Sequence, residues 1–289
     1  MAQQFAQIKD SSTSYGGFLL PEAAMTLATA TQMDAESAQE SAKQIEAVRK
    51  TMLSELAKNN HLPEEARKPI GDAVAELFDV AQSTIASGKM DAAGSVVLGD
   101  KKLTVLFAGA IKEPEKVQSA FQKLVSAAEK DANFNENVSI KSDKHAGADL
   151  QIMSFKVKDD EAKEVFGDTL DVILGTGNNS VYLAAGNEAL DRLKQAIDAS
   201  AGSAGKKAIA PAEFRVSLAP VFRFASTVDK NNKLAPMMAE ELAKSGGKDH
   251  VTVILRPIKN GVGYRFEAEE GVLQLLGTES RAAAAGAAK

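Results

Sequence analysis

Two stretches of the chain align with one another without a gap. Residues 96–110 read VVLGDKKLTVLFAGA, and residues 172–186 read VILGTGNNSVYLAAG. Each consists of an apolar run, a polar turn and a second apolar run, and the same offset places Val117 over Leu193 in the segment that follows. Apolar runs around a short polar turn are typical of β-hairpins. The alignment therefore predicts a repeated unit made of a hairpin followed by a helix.

The turn of the second copy contains Gly175, Gly177 and two asparagines, which raises the question of a phosphate-binding loop. A phosphate loop must run from a strand into a helix, so that the free N–H groups of the helix face the anion. Here Ser180 is followed by Val-Tyr-Leu, which predicts another strand, and no Gly-Lys-Ser/Thr ending occurs. The sequence therefore favours a hairpin turn over a nucleotide site.

Other parts of the chain extend this pattern. Asn260-Gly261, the preferred two-residue turn pair, lies within a hairpin predicted over 251–268, and a looser third copy of the unit covers 254–276. Apolar and charged residues alternate from Tyr264 to Glu269, as expected for a sheet with one wet face. We therefore predict an α+β fold with a mainly antiparallel, curved sheet built from repeated hairpin-helix units.

Two long helices are predicted ahead of this sheet. Asp34 is the expected N-cap of a helix of about six turns, and Pro63 suits the first position of a second helix that ends near Gly88. Because only a short loop joins them, they should form an antiparallel helical hairpin packed on the sheet. The alternative, a partner-binding or membrane-surface pair, lacks the Lys/Arg bias that a membrane surface favours.

The chain divides into three parts by composition. Residues 1–16 are polar and are expected to be disordered or loosely ordered. Residues 17–277 are expected to form a single α+β domain, with a candidate sub-boundary near 200–207, where the sequence SAGSAGKK is small and flexible. Residues 278–289 are expected to be a flexible tail.

Composition excludes several functional classes. The formal net charge is -5 and Lys and Arg are scattered, so no basic stripe is present for nucleic acid. The chain has no cysteine, which excludes disulfides, thiolate metal sites and cysteine nucleophiles. No apolar run approaches the roughly 20 residues that a membrane span needs. We therefore expect neither a nucleic-acid partner nor a membrane span.

The sequence offers few candidates for catalysis. The three histidines are His61, His145 and His250, and none lies at a paired metal-ligand spacing or near a G-x-S-x-G motif. A site assembled from distant residues stays open, because separation in sequence says little about separation in space.

Acidic and amide side chains give no stronger signal. Asp131, Asn133, Asn135 and Asn137 alternate as in a calcium loop, but glycine at the sixth position and glutamate at the twelfth are missing. Carboxylates at 159–161 and 267–270 are typical of solvated faces. No catalytic, cofactor-binding or metal-binding residue is therefore assigned from sequence, no cofactor is expected, and the sequence favours a protein that is not an enzyme.

Three stretches carry a resemblance to a group of proteins: VVLGDKKLTVLFAG, DTLDVILGTGNNSVYLAAGNEAL and GKDHVTVILRPIKNGVGYRFEAEEGVL. With them the chain resembles Ala-rich exported proteins of planctomycete-type bacteria over most of residues 15–277. The resemblance implies a cell-envelope or extracytoplasmic setting and a longer precursor, and it implies no activity, cofactor or catalytic residue. The location is periplasmic or extracellular if a signal segment has been removed, and cytoplasmic if the chain is complete as written.

Three hypotheses of function follow from the sequence. The leading one is a non-enzymatic binding or scaffold protein of the cell envelope, which binds a protein partner or forms a homo-oligomer. The alternative is a carrier of an apolar small molecule or lipid, held in a cavity between the sheet and the helices. The third is a hydrolase whose site is assembled from separated residues.

Overall fold

The computed structural model describes residues 11–58, 64–202, 206–229, 232–258 and 261–277. The strands in this part of the chain are β1 (Ser11–Thr13), β2 (Met25–Gln32), β3 (Lys89–Gly99), β4 (Lys102–Ala110), β5 (Val138–His145), β6 (Ala148–Lys156), β7 (Thr169–Gly177), β8 (Ser180–Gly186), β9 (Lys207–Ile209), β10 (Ala212–Ser217), β11 (His250–Ile258) and β12 (Gly261–Ala268). The helices are α1 (Ala35–Lys58), α2 (Glu64–Ala86), α3 (Pro114–Ala128), α4 (Ala132–Asn137), α5 (Asp160–Phe166), α6 (Ala189–Ala199), α7 (Leu218–Val228), α8 (Leu234–Ala243) and α9 (270–277).

Ten of the strands form one antiparallel sheet in the order β12-β11-β10-β2-β3-β4-β8-β7-β6-β5, and β1 pairs with β9 in a small second sheet. The large sheet is open, with β12 and β5 at its edges. This architecture confirms the predicted α+β class and the antiparallel sheet. None of the helices in the described ranges is long and apolar enough to cross a lipid bilayer.

We call the two sides of the large sheet the inner and the outer face. The inner face carries Leu106, Ile173 and Tyr182, which are buried together with Phe18 and with Leu193 of α6. A short 3-10 turn at Gly16–Phe18 and helix α6 thus cover the middle of this face. The core residues that form this cluster are Tyr15, Phe18, Ala93, Leu106, Ala108, Ala148, Leu150, Ile152, Ile173, Tyr182, Ala184, Ala189, Leu193, Ala196 and Ile197.

The long helices begin as the sequence indicates. The Asp34 carboxylate accepts hydrogen bonds from the Ser37 backbone N–H at 2.9 Å and the Ser37 hydroxyl at 2.7 Å, which confirms Asp34 as the N-cap of α1. Helix α1 contacts α2, and α2 contacts both α3 and β3. Pro63 lies outside the described residues, as does the loop between the two helices, so the helical hairpin stays a prediction.

The stretch VILGTGNNSVYLAAG forms a hairpin, as predicted. Strand β7 ends at Gly177, β8 begins at Ser180, and Asn178 and Asn179 form the turn with φ of 53° and 57°. Two central residues with positive φ are typical of the two-residue turns that join twisted strands. The phosphate-loop interpretation is excluded, because the turn leads into a strand rather than into a helix.

The two aligned hairpins place their turns at different positions. In the first, β3 ends at Gly99 and β4 begins at Lys102. In the second, the gapless alignment would put the turn at 176–177, and the structure puts it two residues later. Gly175 therefore lies inside a strand, whereas its aligned partner Gly99 ends one. The repeated unit itself stays a prediction, as does the curvature of the sheet.

Residues 11–16 contact the sheet, whereas residues 1–10 lie outside the described residues, so the disordered or loosely ordered N-terminus over 1–16 stays a prediction. Strand β1 pairs with β9, and both Thr13 and Tyr15 are buried. The buried Asp91 carboxylate accepts hydrogen bonds from the Thr13 hydroxyl at 2.7 Å and the Ser14 backbone N–H at 3.0 Å. Polar groups of this segment therefore donate hydrogen bonds to a buried acid, and the composition of the segment alone does not reveal this partner. The tail at 278–289 lies outside the described residues.

Candidate functional site

A cavity of about 650 Å³ lies on the inner face above β2, β10 and β11. Its floor is the sheet, and its other wall consists of residues 19–24 and of β9. The cavity therefore forms where the chain leaves the 3-10 turn and passes over the sheet before entering β2. We call it the inner cavity.

One side of the inner cavity is apolar. The segment after the 3-10 turn contributes Leu19, Leu20 and Pro21, and β9 contributes Ile209, which is 8% exposed. Ala28 of β2 lies on the floor below them and is also buried. The small side chain at this position leaves room for a ligand, and the surrounding aliphatic groups favour an apolar one.

The floor is polar where β10 crosses it. Glu213 and Arg215 alternate with Phe214, so both charged side chains lie on the inner face. Arg215 pairs in register with Thr26 on one side and Thr252 on the other. No salt bridge or side-chain hydrogen bond joins its guanidinium to another residue of the described ranges, although its charge helps to lower the pKa of the Glu269 carboxylate. The cavity therefore contains a cation that is available to a ligand.

His250 lies at the end of the cavity and is oriented by Glu269. Its Nδ1 is 2.9 Å from a Glu269 carboxylate oxygen, and its backbone N–H donates to the same oxygen at 3.0 Å. Partial burial opposes ionisation of Glu269, but these hydrogen bonds and the charges of His250 and Arg215 outweigh it and hold the pKa of Glu269 below its ordinary value of 4.5. Because the ionised carboxylate only accepts hydrogen bonds, the Nδ1 of His250 donates to it.

Asp249 completes a group of three donors that could hold a metal ion. Donor atoms of Asp249, His250 and Glu269 lie within 4.8 Å of one another. Asp249 is 3% exposed, and one of its oxygens accepts from the Ser217 hydroxyl at 2.6 Å and from the Ala219 backbone N–H at 2.7 Å. This carboxylate therefore caps the N-terminus of α7. Hydrogen bonds within the protein explain the positions of all three side chains.

The same contacts bear on catalysis by Ser217. A serine nucleophile needs a base that takes its proton, and the Ser217 hydroxyl instead donates to the carboxylate that caps α7. His250 and the acids do gather beside the cavity, which the sequence left open for a dispersed site. Their hydrogen bonds orient a helix and an imidazole rather than a nucleophile.

A second cavity, of about 350 Å³, lies at the Asn178-Asn179 turn. Tyr15, Asp91 and Ser180 line it, and the Tyr15 and Ser180 hydroxyls are 2.8 Å apart. Burial raises the pKa of Tyr15 to about 12, against the hydrogen bond to Ser180, which lowers it. Tyr15 is therefore neutral at ordinary pH and holds the N-terminal segment against the sheet.

The other candidates from the sequence are not brought to either cavity. His61 lies outside the described residues. His145 is on β5, where its Nε2 is 2.8 Å from an exposed Asp198 carboxylate oxygen. Asp131 is the N-cap of α4 and accepts from the Asn133 backbone N–H at 2.8 Å.

The remaining amides of the calcium-like stretch also bond to the backbone. The side chains of Asn135 and Asn137 donate to the carbonyls of Glu129 and Asn133, each at 2.6 Å. Asp159 likewise caps α5 by accepting from the Ala162 backbone N–H at 2.9 Å. These side chains therefore terminate helices.

Sequence reasoning missed Arg215 and Glu213, because single charged residues in a strand match no motif. The available signal was the alternation in Glu213-Phe214-Arg215-Val216, which predicts one charged and one apolar face for β10. What that charged face meets depends on β9 and on residues 19–24, which are distant in sequence.

A scan against protein-family models found no match, and searches of curated proteins and of solved structures found none either.

Proposed function

We propose that this chain is a non-catalytic binding protein whose inner cavity takes a small amphipathic molecule with one acidic group. The observation that carries the proposal is the combination, in one cavity of about 650 Å³, of an apolar wall with the Arg215 guanidinium, which has no salt bridge among the described residues. The volume lies within the range of about 300–1,000 Å³ that is typical of small-molecule sites.

Arg215 indicates that the ligand carries an acidic group. A guanidinium presents its N–H donors in a planar fork that matches a carboxylate or a phosphate. Lys207 lines the same cavity and adds a second positive charge, whereas Glu213 lies two residues from Arg215 on the same face of β10. Glu213, together with Glu269 whose pKa the Arg215 charge lowers, offsets much of the positive charge of Arg215 and Lys207, which favours a ligand with a single negative charge over one with two or three.

The opposite wall of the cavity indicates that the rest of the ligand is apolar. Leu19, Leu20 and Ile209 offer only hydrocarbon, and each CH₂ group that a ligand buries against them contributes about 0.8 kcal/mol. A chain of several carbons attached to the acidic group fits this arrangement. This ligand class follows the carrier hypothesis, because the bound molecule lies between the sheet and the segments that cover it.

Isothermal titration calorimetry with decanoate tests the proposal. We expect Arg215→Gln to weaken decanoate binding at least tenfold, because the carboxylate loses its charged partner. The matched control is Arg265→Gln, which removes the same charge from the inner face of β12, where Arg265 is paired with Glu267 and lies outside the cavity. This control should bind as the wild type does.

Two further arms separate the acidic group from the apolar body. Decanol, which lacks the charge, should bind to the wild type more weakly than decanoate does. Decanol should also bind to Arg215→Gln with the same affinity as to the wild type. Ile209→Ser should weaken both ligands, because it removes hydrocarbon from the wall. Equal decanoate affinity in the Arg215 and Arg265 variants, or no binding by the wild type at millimolar ligand, would refute the proposed site.

The extracytoplasmic setting is part of the same proposal and is supported by the resemblance of three sequence stretches. Fractionation of the source cells with an antibody against the folded chain tests it. Recovery in the envelope or external fraction is expected, and recovery with cytoplasmic markers contradicts it.

A further inference from the structure

The outer face of the large sheet exposes apolar side chains over seven neighbouring strands, from β12 to β8. We call this surface the outer strip. Exposed fractions range from 36% for Val105 to 79% for Tyr264. The most exposed members are Tyr264 79%, Phe266 68%, Leu27 47%, Leu183 42%, Phe214 40% and Val105 36%. Soluble monomers rarely expose contiguous apolar patches of more than a few hundred Å² unless the patch is a contact surface.

Strand register shows that the strip is continuous. The central row runs through Phe266, Val253, Phe214, Leu27, Gly94, Phe107 and Leu183, each paired with the next. The rows on either side run from Tyr264 to Val181 and from Ala268 to Ala185. None of the three rows contains a charged residue on any of the seven strands. At about 4.8 Å per strand the strip is roughly 29 Å long.

Leu27 divides the central row into two halves of equal length. Leu27 of β2 is the fourth of seven positions, with Phe214 on one side and Gly94 on the other. Gly94 lies under a shallow depression of about 190 Å³, which is bounded by Met25, Val96, Val105, Phe107 and Phe214. A bulky aromatic and a depression therefore lie at equal distances from Leu27.

We infer that the outer strip packs against the outer strip of a second copy of this chain, around a two-fold axis that runs along β2 past Leu27. The axis lies between the large sheets of the two copies, and rotation about it places each half of the central row of one copy opposite the other half in the second copy. Phe214 of each copy then meets the depression at Gly94 of the other, and Phe266 meets Leu183. The inference goes beyond the proposed ligand site, which lies on the opposite face of the sheet.

Chemistry favours a second copy as the occupant. A strip without charge offers no complementarity to a charged partner or to an anionic membrane surface. A two-fold contact needs one surface that complements itself, and the pairing of Phe214 with the Gly94 depression provides this. Antiparallel sheets also pack face to face about 10 Å apart with side chains interdigitated.

The exposed area is consistent with a dimer. An aromatic side chain presents roughly 150–250 Å² and an aliphatic one somewhat less, so the six exposed residues present roughly 600 Å². Two copies would then bury about 1,200 Å², which is the lower end of the range for stable interfaces. Partly exposed neighbours along the three rows add to this area.

Light scattering after size-exclusion chromatography, together with sedimentation equilibrium, tests the inference on the full chain. We expect the wild type to show twice the mass of one 30.5 kDa chain. Leu27→Lys places two ammonium groups at the axis and should raise the dimer dissociation constant at least 100-fold. The matched control is Met237→Lys, which adds the same charge at a 66% exposed apolar residue of α8 and should stay dimeric.

Crosslinking locates the contact, because the chain contains no cysteine. Leu27→Cys should form a covalent dimer with a bismaleimide short enough to bridge sheets about 10 Å apart, whereas Met237→Cys should not. Circular dichroism checks that each variant is folded. A monomeric wild type at 100 µM, a dimer that survives Leu27→Lys, or equal crosslinking of the two cysteine variants would each overturn the inference. A wild-type chain that stays monomeric yet floats with lipid vesicles would assign the strip to a membrane surface instead.

Discussion

The hydroxyl of Tyr15 lies 2.8 Å from the hydroxyl of Ser180, although 165 positions separate the two residues in the chain. Ser180 begins β8 directly after the Asn178-Asn179 turn, and its hydroxyl is also 3.3 Å from the Asn178 carbonyl. Tyr15 additionally contacts Phe18 edge-on, with ring centroids 6.3 Å apart. The segment before β2 is thus held against the middle of the sheet by a buried polar contact as well as by apolar packing.

Tyr15 should make stability fall at high pH. Its pKa is raised from 10.0 to about 12, mainly by burial, so between these values the unfolded chain loses a proton that the folded chain keeps. Stability from this group is complete below pH 10 and decreases by about 2–3 kcal/mol as pH rises through 12. Urea unfolding of the wild type and of Tyr15→Phe from pH 8 to pH 11 measures this, and a steeper decline in the variant would contradict it.

Asp91 should anchor the N-terminal strand. Replacing it with alanine leaves the Thr13 hydroxyl and the Ser14 N–H without their buried acceptor, which should lower the free energy of unfolding by about 1–3 kcal/mol. Limited proteolysis should also cut near β1 faster in this variant. The exposed Asp168→Ala is the control, and equal losses of stability in both variants would count against the anchoring role.

The two glycines that the sequence aligned should respond differently to alanine. A Cβ atom at Gly175 would lie 2.7 Å from a methyl group of Leu150 and 3.1 Å from Tyr182, whereas one at Gly99 would lie 3.4 Å from the Lys102 side chain. Gly175→Ala should therefore cost about 1–3 kcal/mol through overpacking, and Gly99→Ala under about 1 kcal/mol. Thermal and urea unfolding compare the two, and equal effects would refute the difference in packing.

Asp249 should stabilise the fold by capping α7 and should do so without a metal ion. Asp249→Ala removes the acceptor of the Ser217 hydroxyl and the Ala219 N–H, and we expect a loss of about 1–2 kcal/mol. Added Zn²⁺ or EDTA should leave the unfolding midpoint of the wild type unchanged. A midpoint that rises with Zn²⁺ concentration and becomes insensitive in His250→Ala would instead show a metal site, since ligand binding to the native state raises stability by mass action.

Local sequence patterns were sufficient to predict helices and strands and some of the residues at which they begin or end. Asp34 begins α1 because its carboxylate can reach the N–H of Ser37, an interaction within four residues. Asn178 and Asn179 join two strands because asparagine tolerates the positive φ of a tight turn. The displaced turns of the two aligned hairpins show the limit of such reasoning, since similar apolar runs fit more than one register.

The inner cavity could not be read from the sequence in the same way. Arg215 and Ile209 lie in different short strands, and the segment containing Leu19 closes the cavity from nearly 200 positions away. The pattern from Tyr264 to Glu269 predicted one solvent-exposed face, and the structure exposes the apolar Tyr264 and Phe266 as well as the charged Arg265. An alternating pattern specifies that a strand has two faces, and only packing decides which of them is covered.

The sequence by itself determined the α+β class, the hairpins and the absence of cysteine chemistry, because these depend on composition and on contacts between neighbours in the chain. The tertiary structure alone decided that Tyr15 meets Ser180, that Asp91 holds the N-terminal strand and that Arg215 meets an apolar wall. It also decided that Leu27 lies at the middle of an exposed apolar strip. These relationships arise from the order of ten strands in one sheet, and that order is set by the burial of side chains distant in sequence.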